Sequence, residues 1–244
     1  MILAAGLGTR LRPLTINRPK ALVELGGRTL LEITLVRLRE FGIRDVIINV
    51  HHFADMMLEY LKAKQNFGMR VEVSREGVLL DTGGGLKQAA WFFSQNSNSS
   101  EEPFIIHNVD VLSTIDLGRM LDFHKQHQAL ATLAVQNRET SRYLLFDDWL
   151  QLCGRRAGRE GKQELVKPAG NTQALAFCGI HIISPRIFPL ISEEGVFSIV
   201  PVYLRLAARG ERILAFRADQ YYWRDLGRPE HIAQAEEDLK RMML

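Results

Sequence analysis

Hydrophobic and polar positions run along this chain in two rhythms. Short apolar or β-branched runs at 2–5, 45–50, 69–74, 104–107, 130–135 and 213–216 read as strands. Between them lie stretches with helical spacing. In 29–41 the residues Leu31, Leu35, Leu38 and Phe41 fall on one face, and Gly42 supplies the stop. Segments 53–63, 82–93, 116–126, 197–208 and 230–243 read as further helices, and the polar stretch 94–102 as a surface loop. From 142 to 183 strand-like pieces dominate, at 143–146, 150–153 and 174–183.

This alternation predicts an α/β fold. A mostly parallel, doubly wound mixed sheet would be flanked by helices, with a small antiparallel subsheet built from 142–183. No repeat of 20–50 residues and no linker divides the chain, so residues 1–244 are expected to form one domain. In such sheets ligands bind beyond the carboxyl ends of the strands, near the topological switch point.

Composition narrows the picture. The 244 residues are 46% hydrophobic and 24% charged, which excludes a disordered or collagen-like chain. No apolar run is long enough to span a bilayer, so no membrane association is expected. The opening Met1-Ile2-Leu3-Ala4-Ala5-Gly6 lacks the basic region and length of a secretory signal. The first strand begins at the first residue, and the natural chain is expected to start a few residues earlier. Cys153 and Cys178 cannot make a disulfide framework or a four-thiolate zinc site; they read as buried thiols, and the cytoplasm as the compartment.

Charge distribution says more than the net +3. Residues 1–40 hold seven basic side chains against three acids, and Arg10, Arg12, Arg18 and Lys20 fall in the Gly/Pro-rich stretch 6–20. A basic loop favours an anionic ligand. With no long basic helix and no basic–aromatic sheet motif, a small phosphate-bearing ligand fits better than nucleic acid.

That loop carries the first motif, Gly6-Leu7-Gly8-Thr9-Arg10-Leu11-Arg12-Pro13-Leu14-Thr15. Its glycines allow close backbone approach, and loop amides of this kind cradle phosphates. The dinucleotide pattern G-x-G-x-x-G fails because Leu11 replaces the third glycine, and no G-K-[ST] follows. Then comes Arg18-Pro19-Lys20-Ala21-Leu22, where Pro19 restricts the chain before Lys20. A guanidinium and an ammonium converging on a polyphosphate would stabilise charge developing in phosphoryl or nucleotidyl transfer.

G-L-G-T-R-L-R-P-L-T followed by R-P-K-A-L resembles the signature of the sugar-1-phosphate nucleotidyltransferases (nucleotide-sugar pyrophosphorylases). The resemblance covers nearly the whole chain. Asn108-Val109-Asp110 stands where the family has an N-G-D, and Trp223-Arg224-Asp225-Leu226-Gly227-Arg228-Pro229-Glu230 resembles its late W-x-D-x-G-x-P-E. The resemblance implies a Rossmann-like nucleotide-diphospho-sugar transferase fold. It also implies attack of a sugar 1-phosphate on the α-phosphorus of a nucleoside triphosphate, with Mg²⁺ as cofactor. Arg10 and Lys20 would be catalytic, and Asp110 and Asp225 the metal ligands. The nucleotide would meet Leu3, Ala4, Ala5, Gly6, Gly8, Thr9, Arg10 and Asn108, with Glu76 and the Thr82–Gly83 amides reading the base. Lys167, in a K-P pair, and Gly179 would face the sugar phosphate and sugar ring.

The T-G-G-G of Thr82–Gly85 resembles short uridylyltransferases acting on N-acetylmuramic acid 1-phosphate, whereas mannose- or heptose-1-phosphate guanylyltransferases show L-G-T-A-G. Two departures stand out: Val109 replaces the usual glycine, and 197–201 lacks the acid many relatives use for sugar hydroxyls. Base and sugar therefore stay open between UTP with an N-acetylmuramic acid-type sugar and GTP with a mannose- or heptose-type sugar. A non-catalytic nucleotide-binding paralogue would have lost Lys20 or the aspartates, and all three are present. A cytidylyltransferase for a non-sugar phosphate shares the early glycine loop. At 244 residues no C-terminal domain like that of longer relatives is expected, and the chain is expected to act as a monomer or homodimer.

The remaining features read as structural. His51-His52 lacks partners at metal spacing, and His124 and His127 are expected to face solvent. Arg155, Arg156 and Arg159 read as a hairpin tip, and Met56, Met57, Met242 and Met243 as helix packing.

Overall fold

The run Val46–Val50 is buried throughout, as a strand covered on both faces requires. A computed structural model of the protein describes residues 1–95, 102–158 and 160–242. In chain order the elements are β1 (Ile2–Leu3), β2 (Glu24–Leu25), β3 (Arg28–Thr29), α1 (Leu30–Glu40), β4 (Asp45–Val50), α2 (Ala54–Ala63), β5 (Arg70–Arg75), α3 (Asp81–Gln88), α4 (Ala90–Gln95), β6 (Phe104–Asn108) and β7 (Val111–Ser113). They continue as α5 (Leu117–Gln126), β8 (Ala131–Gln136), β9 (Arg142–Phe146), β10 (Leu152–Ala157), β11 (Gln163–Leu165), β12 (Gln173–Ile183), α6 (Ile199–Ala208), β13 (Ile213–Arg217), β14 (Trp223–Asp225) and α7 (Pro229–Met242).

The chain divides into two compact units, neither continuous in sequence. The first comprises Met1–Asp81, His107–Thr114 and Tyr222–Leu244; the second comprises Thr82–Ile106 and Ile115–Tyr221. In the first unit β1 lies parallel between β4 and the end of β6, in the registers Leu3↔Asn49 and Leu3↔Asn108, and β4 pairs in parallel with β5. Helix α1 begins where Thr29 accepts a hydrogen bond from the Glu32 amide, and it buries Leu30, Leu31, Leu35 and Leu38. A two-stranded antiparallel ribbon joins β7 to β14, pairing Asp225 with Val111.

In the second unit β8 lies between antiparallel β12 and parallel β13, and β12 continues through β9, β10 and β11 as an antiparallel meander. That meander is the antiparallel part expected from 142–183. Helix α5 packs on β8 and β12, and α6 on β10 and β13.

Several expectations need correction. The helix expected over 82–93 is two helices, α3 and α4, interrupted at Ala89, whose amide is shared between the carbonyls of Gly85 and Leu86 at 3.1 Å. His124 is buried, not solvent-facing: it continues the α5 face formed by Leu117 and Met120, and its Nδ1 lies 2.9 Å from Thr132 Oγ1. Burial and the nearby Arg186 and Lys125 bring its pKa down to about 4. Met57 packs in the core but Met56 is exposed. Arg155 and Arg156 lie on β10 and not at its tip, and Gly158, at φ +64°, is in the turn that follows. Arg159, Met243 and most of the loop 94–102 lie outside the described residues.

Candidate active site

The opening loop is held from both ends. Strand β1 stops after Leu3 because the Ala4 amide donates to the side-chain Oδ1 of Asn49 at 2.8 Å instead of continuing a ladder. Ala4 and Ala5 are buried, while Gly6 is exposed with nothing within 4 Å of where a Cβ would stand. Gly8 is the opposite case. It sits at φ +63°, and a Cβ there would lie 2.9 Å from Thr15 Cγ2 and 3.2 Å from Lys20 Cβ. Thr15 Oγ1 donates to the Gly8 carbonyl at 2.8 Å, and the buried Leu11 pins the short turn Thr9–Leu11 that carries Arg10. The Gly8 backbone thus packs on the stem of Lys20.

Lys20 opens another one-turn helix, Lys20–Leu22, after the extended Pro19. Its side chain is nearly buried and its ammonium pairs with Asp110 Oδ2. Asp110 lies in the short connection between β6 and β7, and its carbonyl accepts the Leu226 amide at 2.7 Å. The β7–β14 ribbon therefore brings Asp225 beside Asp110. Asp225 Oδ1 accepts the Gly227 amide at 3.0 Å, and its backbone carbonyl accepts from His231 Nδ1 at 2.8 Å. Arg10 reaches the same place: a Cβ on Gly227 would meet Asp225 Oδ1 at 2.6 Å and Arg10 Nη2 at 2.8 Å. A side chain at 227 would have to displace that guanidinium and that carboxylate.

One loop, the β6–β7 connection and the last strand thus present two cations and two carboxylates together. Hard carboxylate oxygens suit Mg²⁺, and among the described residues no group of three or more His, Cys, Asp or Glu side chains could hold a metal by itself. Two carboxylates completed by ligand oxygens is the usual way a magnesium–phosphate site is built. A profile of the family described as nucleotidyl transferase matches residues 1–242. The chain belongs to this family. It is 34% identical to the N-acetylmuramate alpha-1-phosphate uridylyltransferase of Caulobacter vibrioides, over 97% of this chain and 94% of that one. It is 30% identical to the mannose-1-phosphate guanyltransferase of Yarrowia lipolytica, covering 94% of this chain but only 61% of that longer protein. Among solved structures, a UDP-glucose pyrophosphorylase complexed with UDP-glucose shares the fold, with a TM-score of 0.78 at 19% identity over 99% of this chain and 97% of that one. The expected fold class is thereby established.

The other residues expected at the site divide by unit. Asn108 ends β6 opposite Leu3 in the first unit. Glu76, also there, is buried, and both of its carboxylate oxygens accept protein hydrogen bonds: Oε1 from Asn49 Nδ2 at 2.6 Å and Oε2 from the Leu80 amide at 2.9 Å. Thr82 and Gly83 belong to the second unit. The amides of Gly83 and Gly84 donate to the Phe197 carbonyl at 2.9 and 3.1 Å, and Thr82 Oγ1 accepts the Ile199 amide at 3.0 Å. A Cβ on Gly83 would stand 2.5 Å from the Phe197 ring, so this glycine is fixed by packing. Lys167 Nζ lies 3.3 Å from Asp147 Oδ2 and 3.2 Å from Gln151 Oε1. Gly179, at φ +71°, occupies the bulge of β12 between Phe177 and His181.

Asn49 escaped the sequence reading. The available signal was one polar residue inside the apolar run Asp45–Val50, since a buried amide must find partners. No helix among the described residues is long and apolar enough to cross a membrane.

Proposed function

We propose that this chain transfers a nucleotidyl group from a nucleoside triphosphate to a sugar 1-phosphate, forming a nucleotide-sugar and pyrophosphate. The observation that carries this reading is the convergence of Lys20 and Arg10 with Asp110 and Asp225 around a glycine loop. A phosphate oxygen of the sugar attacks the α-phosphorus in line, one P–O bond forms, and the bond to pyrophosphate breaks. Such transfer needs little covalent chemistry from the protein; position and charge neutralisation do most of it. Lys20 stabilises charge growing on the α-phosphate, and its burial makes that interaction stronger than it would be in water. Arg10 neutralises the triphosphate tail with a forked donor. Asp110 and Asp225 would hold Mg²⁺, which supplies charge neutralisation on the phosphates when bound.

Backbone at Leu3, Ala4, Ala5 and Gly6, with Gly8, Thr9 and Asn108, binds the nucleotide. Glu76 serves the same ligand through the backbone it holds at Leu80, and Thr82 and Gly83 through the turn they hold at Phe197–Ile199. Lys167 and Gly179 serve the sugar phosphate and sugar. UTP with an N-acetylmuramic acid-type sugar is favoured because the 34% identical relative spans nearly the full chain. GTP with a mannose-type sugar is the second reading, supported by the 30% identical guanyltransferase. The whole chain, as one catalytic domain in a cytoplasmic monomer or homodimer, carries out the reaction. The test is pyrophosphate release across the four nucleoside triphosphates and a panel of sugar 1-phosphates with Mg²⁺. Turnover with UTP and N-acetylmuramic acid 1-phosphate is expected; no release with any pair refutes the reading.

A further inference from the structure

Three hydrogen bonds in series, two of them buried and the third partly so, link two backbone segments of the first unit. The Ala4 amide donates to Asn49 Oδ1 at 2.8 Å, Asn49 Nδ2 donates to Glu76 Oε1 at 2.6 Å, and the Leu80 amide donates to Glu76 Oε2 at 2.9 Å. Asn49 and Glu76 are 2% and 4% exposed, so the central bond between them is shielded from water. Glu76 is fixed again through its own backbone: its amide donates to Val50 at 2.8 Å, and its carbonyl accepts from His51 Nδ1 at 2.9 Å. Each linked segment carries a glycine that no packing demands. Gly6 and Gly77 both have nothing within 4 Å of a Cβ, and neither has a left-handed φ. Backbone left bare without a structural need for it is backbone that a ligand can approach closely.

We infer that Asn49 and Glu76 form a relay that fixes the spacing between the 4–6 and 77–80 backbones, and that this spacing selects the nucleotide base. The inference rests on the nucleotidyl-transfer reading. Glu76 and Asn49 are positioning residues here: they hold the groups that meet the base.

The donors and acceptors of the relay can be reversed. In Asn49→Asp, two carboxylates face each other and the central bond is lost. In Glu76→Gln, the amide can satisfy either Asn49 or the Leu80 amide but not both. In the double variant, Asp accepts the Ala4 amide, the Gln amide nitrogen donates to Asp, and the Gln oxygen accepts the Leu80 amide, so all three bonds return.

The experiment measures kcat/KM for UTP and for GTP by pyrophosphate release in the wild type, both single variants and the double variant, with unfolding temperatures for each. Each single variant is expected to raise KM for the better nucleotide about tenfold and to lower the UTP/GTP discrimination by a similar factor, while KM for the sugar 1-phosphate stays put. The double variant is expected to recover both within about threefold. Losses that add in the double variant, unchanged discrimination in the singles, or a double variant that does not fold like the wild type overturn the relay. A wild type that turns over without discriminating bases overturns it while leaving nucleotidyl transfer intact. A wild type with no turnover refutes transfer instead, and titration of UTP and GTP into the same four proteins then decides the relay: equal affinity ratios overturn it.

Discussion

Gly6→Ala and Gly8→Ala, two residues apart in one loop, should fail in opposite ways. At Gly8 the backbone sits at φ +63°, where a Cβ costs about 1–2 kcal/mol. The new methyl would also stand 2.9 Å from Thr15 Cγ2 and 3.2 Å from Lys20 Cβ, adding overpacking of about 1–3 kcal/mol. Gly8→Ala should therefore lose roughly 2–5 kcal/mol of stability. At Gly6 the methyl meets no protein atom within 4 Å and the backbone is not left-handed. Stiffening the unfolded chain there should leave stability unchanged or raise it by up to about 1 kcal/mol. The cost appears instead in ligand binding, because the methyl occupies space that a nucleotide would use; at least about tenfold weaker binding is expected. Urea unfolding followed by tryptophan fluorescence, paired with calorimetric titration of UTP, measures both quantities. A Gly6→Ala protein that binds nucleotide like the wild type would refute close approach at this loop, and one destabilised like Gly8→Ala would refute the steric argument.

Lys20→Ala should fold, yet lose about two or more orders of magnitude in turnover, as when one charge-stabilising donor is removed; near-normal kcat in a pyrophosphate assay rejects the role given to Lys20. Asp225→Asn, which keeps the acceptor for the Gly227 amide but removes a negative charge, should move the Mg²⁺ midpoint of activity upward about tenfold or more; an unmoved Mg²⁺ titration would exclude it as a ligand. Acid should destabilise the fold through His107 and His124, both held down to about 4 chiefly by burial, against an ordinary value near 6.5. The unfolded chain takes up these protons first, so stability is full above pH 6.5 and falls as pH drops toward 4, by about 2 kcal/mol per histidine at pH 5. Replacing His124 by Gln should remove about half of that slope in urea midpoints between pH 7 and 5, and an unaltered slope would contradict the assignment.

Where a structural cause is local, the sequence reveals it. Strand β4 matches its expected bounds, and α1, α5 and α6 lie within two residues of theirs, because apolar periodicity and caps such as Thr29 and Asp116 act within a few residues. His124 was legible in the same way, since its spacing from Leu117 and Met120 already put it on the buried face. The ribbon between β7 and β14 was not. Each strand is three residues long, and pairing so short depends on a partner far along the chain. The Thr82–Gly85 glycines show the same limit: that Gly83 lies against the Phe197 ring depends on two distant segments meeting.

The sequence by itself determined the family, the α/β alternation and the identity of the charged groups, because motif residues and apolar periods are written in local order. Tertiary structure alone decided that Lys20 pairs with Asp110, that Asp225 and Arg10 share the surroundings of Gly227, and that Asn49 joins Ala4 to Glu76. It also divided the chain into two units whose segments interleave. Such arrangements are set by strand register and close packing between residues remote in the chain, and a one-dimensional pattern does not encode which remote partner a buried polar group will find.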